Sequence, residues 1–104
     1  MGLSRAIQGA RNTGLQITWN QDDGTAQDLT GATLSGMIED KNGITEAISG
    51  PLTIVDAPSG IFTWAYAASD VDTVGRFLVQ FKADYGGGLY DLSYPEVWVV
   101  ERAL

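Results

Sequence analysis

The chain has 104 residues, 44% of them hydrophobic, with six Lys and Arg against thirteen Asp and Glu and a formal net charge of −7. That is one domain with enough apolar content for its own core, and the charge has the wrong sign for a surface that neutralises phosphates, so nucleic acid is not an expected partner. The sequence contains no cysteine and no histidine, which excludes disulfides, thiol catalysis, Cys-based zinc sites and the commonest general base, and with them most enzyme classes.

The N-terminus carries Arg5 and Arg11 but no apolar run of signal-peptide length, and the longest uncharged stretch, Ala57 to Ser69, is broken by Pro58 and Gly60. It falls short of the ~20 apolar residues of a spanning helix, so neither export nor a membrane partner is expected and the chain reads as soluble. Hydrophobic periodicity is two in almost every readable segment, the signature of strands. In Gly14–Asn20, Leu15, Ile17 and Trp19 share one face and Gln16, Thr18 and Asn20 the other, a half-buried strand. Turn chemistry in Asn20–Thr25 leads through Gln27–Gly31 into a strand over Ala32–Asp40, where Leu34, Gly36 and Ile38 alternate with Thr33, Ser35 and Met37. Asn42-Gly43 signals a hairpin with a type I′ turn, followed by a short strand over Ile44–Ile48.

Ser49-Gly50-Pro51 punctuates the chain before the apolar run Leu52–Val55, and Asp56–Gly60 forms the next turn. Ile61–Ala67 reads as a strand with Phe62, Trp64 and Tyr66 on one face, and Ala67–Gly75 as a turn-rich segment holding one helical turn capped by Ser69. Arg76–Tyr85 is the clearest strand, with Phe77, Val79, Phe81, Ala83 and Tyr85 alternating with Arg76, Gln80, Lys82 and Asp84. After the glycine turn Gly86–Gly88, Leu89–Val100 closes the domain, interrupted at Pro95, where the apolar parity shifts from Tyr90, Leu92 and Tyr94 to Val97 and Val99. A bulge or an edge position fits that shift. About seven or eight short antiparallel strands, with turn signals roughly every 8–12 residues, describe an all-β sandwich or a small barrel, of which the sandwich is favoured.

Few residues qualify as candidates for chemistry. The acidic turn Asn20–Gly24 lacks the spacing of an EF-hand, because its first position would fall on Trp19, and it reads as a plain turn, as does Asp70-Val71-Asp72. No pair of carboxylates can be selected for glycoside hydrolysis. No catalytic, cofactor-binding or metal-binding residue is assigned, and no cofactor is expected. Among the aromatics, Trp19, Phe77 and Phe81 belong to the core, whereas Tyr85, Tyr90 and Tyr94 beside the glycine turn are candidate surface aromatics for sugar stacking, as are Trp64 and Tyr66. Residues 1–12 are expected to form an N-terminal arm or edge strand, and 13–104 a single sandwich domain. In an assembly, Leu3 and Ile7 would anchor the arm on a neighbouring subunit, with Arg5 and Arg11 meeting its acidic surface.

Ile7-Gln8-Gly9-Ala10 ahead of the first strand, Gln21 through Ala32 with Asp23-Gly24 and Asp28-Leu29-Thr30-Gly31, Leu52 through Phe62, and Val74-Gly75-Arg76-Phe77 into Phe81 resemble the N-terminal immunoglobulin-like module of phage baseplate upper proteins and related phage tail structural proteins. The resemblance covers nearly the whole chain. It implies an immunoglobulin-like fold and a non-enzymatic virion protein, made in the host cytoplasm, that acts as a tail, baseplate or fibre-attachment adaptor. Its implied partners are other virion structural proteins and further copies of itself. A capsid decoration protein of the same fold and a carbohydrate-binding module for host surface glycans are the alternatives, and a small hydrolase is the least favoured.

Overall fold

The computed structural model describes residues 3, 6–7, 15–21, 23–65, 67, 70 and 73–102. Within them lie nine strands: β1 (Ala6–Ile7), β2 (Leu15–Thr18), β3 (Thr33–Glu39), β4 (Thr45–Ala47), β5 (Leu52–Asp56), β6 (Ile61–Trp64), β7 (Gly75–Gly86), β8 (Leu89–Leu92) and β9 (Glu96–Glu101). They form two sheets. The larger has the order β1-β9-β7-β3-β4, with β8 also on β7, and the smaller the order β2-β6-β5. Every pairing is antiparallel except that of β1 with β9, which sets Ala6 opposite Val100. Second, fifth and sixth strands in one sheet facing third, fourth, seventh and last in the other is the connectivity of an immunoglobulin-type sandwich.

The core is the sum of the inward faces that period-two patterning defines. In β2, Leu15 and Ile17 are buried while Gln16 and Thr18 are exposed. Phe62 and Trp64 from β6 meet Val79, Phe81 and Ala83 from β7, and all five are fully buried. The Phe62 and Phe81 rings pack edge to face at 5.0 Å, and Trp64 lies 4.6 Å from Trp98 of β9. Burying a large apolar side chain stabilises the fold by about 1.5–3 kcal/mol, so this aromatic layer holds the two sheets together.

Local side-chain chemistry shapes the turns. Thr25 donates its amide and hydroxyl to the Asp23 carboxylate, and Thr30 does the same to Asp28. These bonds, the hydroxyl first, hold both carboxyls below their ordinary range. The β3–β4 hairpin is present, but its turn differs from the expected type I′. Gly43 has φ 79° and no non-glycine among the described residues has positive φ, so Asn42 lacks the positive φ that type I′ requires. The cause is Asp40, whose carboxylate accepts the amides of Asn42 and Ile44 at 2.8 and 3.0 Å and stabilises a longer turn closed by the glycine.

The last strand is divided into β8 and β9, both on the same side of β7. β8 pairs with Lys82–Gly86 and β9 with Gly75–Val79. Between them Ser93, Tyr94 and Pro95 stand against only Gln80 and Phe81 of β7, a one-residue bulge, and the parity changes as the sequence implied. The inward residues after the break are, however, Trp98 and Val100, not Val97 and Val99. Val97 and Val99 stand opposite Leu78 and Arg76, on the outer face. Tyr90 and Leu92 stand opposite Asp84 and Lys82 on that face too. Apolar residues on both sides of β9 made the two parities indistinguishable in sequence.

Candidate interaction surface

The structure separates the three tyrosines. Tyr85 shares the inward parity of Phe81 and Ala83. It is half-buried, its hydroxyl donates to the Asp28 carbonyl, and it accepts from Gln27 Nε2 at 3.0 Å. It is a strut of the fold and not a surface platform. Tyr90 is exposed on the outer face, where Lys82 Nζ sits 4.5 Å from its ring centre. Tyr94 is exposed in the break between β8 and β9. Trp64, also a candidate for stacking, is fully buried, because its parity is that of Phe62; Tyr66 and Ser69 lie outside the described residues.

Leu3, expected as an anchor on a neighbouring subunit, is half-buried against the core of its own chain. The backbone of Ala6–Ile7 pairs with β9 as an edge strand. Arg5 and Arg11 lie outside the described residues.

Two features were not read from the sequence. The first is an apolar strip across the outer face of the larger sheet. Met37 of β3, Leu78 of β7 and Val97 of β9 are each 40–45% exposed, and the register sets Leu78 directly opposite Val97 and one step diagonal to Met37. Met37 and Leu78 line a shallow cavity of about 90 Å³ with Pro95. Leu89, Tyr90 and Leu92 are exposed at the β8 end. The signal lay in parity, since Met37 and Leu78 are apolar at positions whose neighbours along the strand are Ser35, Glu39, Arg76 and Gln80.

The second is the way the break is sealed. Ser93 donates its amide to the Phe81 carbonyl at 2.9 Å, and its hydroxyl accepts the Phe81 amide at 2.9 Å, replacing the backbone partner that the bulge removes. Its carbonyl accepts from Gln80 Nε2 at 2.8 Å. Ser93→Ala should leave the buried Phe81 amide without its acceptor, lowering stability by roughly 1–3 kcal/mol. Faster hydrogen exchange at that one amide checks it, and unchanged protection there would refute the role.

Among the described residues, no group of three or more metal-ligating side chains comes together, and no helix is long and apolar enough to cross a membrane. Among the described residues the buried carboxylate is Asp70, whose oxygens accept four N–H groups. Its partners are structural.

No family model matches the chain, and no curated protein matches it. Eight solved chains do. Among them is the N-terminal domain of phage TP901-1 ORF48, similar with a TM-score of 0.67 at 16% identity over 96% of this chain and 85% of that one. At that identity the likeness is one of fold, and it extends over the whole sandwich.

Proposed function

We propose that the chain is a non-enzymatic structural protein of a phage particle, an adaptor of the tail, baseplate or fibre attachment that works through protein–protein contacts in a symmetric assembly. The observation that carries this reading is the exposed apolar strip Met37–Leu78–Val97 on an open sheet face. Contiguous apolar surface is costly to leave in water, and covering it with a partner removes that cost. Arg76 and Lys82 share the face by register, and Glu39 lies opposite Leu78, so charges of both signs border the strip and would fix the orientation of a docked neighbour. The fold likeness to a domain of a phage protein and the resemblance of the turn motifs to phage tail modules support the same conclusion.

Leu78→Asp tests it. The side chain points away from the core, so the fold should survive, with unchanged circular dichroism and urea midpoint. Binding to the structural proteins of disrupted phage particles should weaken by about 2 kcal/mol, or about thirtyfold, the effect of removing an interface anchor. Retained binding by Leu78→Asp and Met37→Asp alike would refute this face as the docking surface. Immunolabelling of intact particles separates tail from capsid decoration by where the label falls.

A further inference from the structure

The break between β8 and β9 opens a cleft of about 460 Å³ at the seam of the two sheets, distinct from the apolar strip. Its walls carry Asn20, Gln21 and Gln27 from the smaller-sheet side and Asp91, Tyr94 and Glu96 from the larger. Two of these residues contradict the patterning that built the core. Asp91 stands opposite Ala83 and Glu96 opposite Val79, so both acids have the parity of the inward face, where Asp91 is exposed and Glu96 half-buried at the mouth of the cleft. Both partners on β7 are fully buried.

The polar groups are held in place before any ligand arrives. Gln27 Nε2 donates to Asp91 Oδ2 at 2.8 Å and to the Tyr85 hydroxyl at 3.0 Å. Its two amide hydrogens are thereby used, and its carbonyl oxygen is left to accept. The backbone of Asn20 is bridged to Ala26, and the main-chain N–H of Gln21 donates to the Thr25 carbonyl at 2.7 Å, so the segment that carries these two side chains is anchored. Tyr94 sits on the rim and is 67% exposed.

We infer that this cleft binds a neutral saccharide. Each sugar hydroxyl both donates and accepts, which matches a wall that mixes carboxylates with amides. The ring face of Tyr94 suits the C–H face of a pyranose. Among the described residues no Lys or Arg lines the cleft, so none of them offers an anionic sugar a counter-charge. Asp91 already accepts from Gln27, so the two acids are not a vacant pair for a compact cation. The size lies within the ~300–1,000 Å³ usual for small-molecule sites.

The test is an amide-resolved NMR titration of the whole chain with methyl glycosides of neutral hexoses and N-acetylhexosamines. One of them should produce saturable shifts confined to residues 20–27 and 91–96, with a dissociation constant on the order of millimolar. Tyr94→Ala and Glu96→Gln should each weaken it by roughly tenfold, as expected for loss of one stacking or hydrogen-bonding group. Leu78→Asp, on the other surface, should leave it unchanged. The inference is overturned if no glycoside gives a saturable response, if the two cleft variants bind as well as the parent, or if only an arginine-containing peptide shifts these amides, which would make the cleft a protein-docking site.

Discussion

Asp70→Ala should lower the stability of the fold by roughly 3–5 kcal/mol, the range for removing one member of a buried, charge-assisted network. One carboxylate oxygen accepts the amide of Ser49 at 3.0 Å, and the other accepts the amides of Gly50 at 2.8 Å and Ala67 at 2.9 Å. That second oxygen also receives the Trp64 indole N–H at 3.3 Å. Ser49 and Gly50 belong to the crossing from β4 to β5, and Ala67 to the crossing from β6 to β7, so a single side chain ties together two passages between the sheets. It also orients the indole that packs on Trp98. Alanine removes the carboxylate from four donors, three of them on backbone that cannot turn to water unless the loops open. Asp70→Asn keeps one oxygen but presents an amide N–H₂ to N–H donors, so an intermediate loss is expected. Urea unfolding at constant m-value reads the difference. A change below about 1 kcal/mol for alanine would mean that water replaces the carboxylate and that the crossings are held by other contacts.

The sequence carried the sandwich because its strands alternate cleanly. Leu15 and Ile17 against Gln16 and Thr18, or Val79, Phe81 and Ala83 against Gln80 and Lys82, leave one consistent assignment of faces. Where both parities are apolar, as in Val97-Trp98-Val99-Val100, alternation cannot choose, and only the bulge at Ser93–Pro95 decides which residues face inward. Asp70 was hidden for another reason. It lies in a polar stretch that reads as a surface turn, and its burial depends on Ser49 and Gly50, twenty residues or more away in sequence. The cleft is the extreme case, since Gln27 and Asp91 meet across a separation of 64 residues. Acids at inward positions of β8 and β9 are a signal only once the register is known. Tyr85, a nominal surface aromatic by its polar tip, is placed by the parity of β7 and by the Asp28 carbonyl that receives its hydroxyl.

Gly60→Ala is expected to destabilise the fold by roughly 2–5 kcal/mol, combining a left-handed backbone with overpacking. Gly60 has φ 68° and is buried at the end of the β5–β6 turn. A Cβ there would lie 2.5 Å from the Trp19 carbonyl oxygen and 2.8 Å from that of Gln27. Both are backbone atoms, so relief requires three chain segments to move and not merely one side chain to rotate. Gly43→Ala is the control, because Gly43 has φ 79° but nothing within 4 Å of its Cβ position. It should lose only the backbone part, about 1–2 kcal/mol. Equal losses for the two variants would show that the close approach at Gly60 relaxes without cost. The consequence reaches beyond stability, since Trp19 donates its amide to the Gly60 carbonyl at 2.9 Å and accepts the Gln27 amide at 2.9 Å. Asn20 and Gln27, which line the cleft, are thus carried by the segments that an added methyl would push apart. Folded Gly60→Ala protein should therefore show perturbed amide shifts at residues 20–27 while the Leu78 face stays unchanged, coupling the shape of the cleft to the one glycine on which these segments converge.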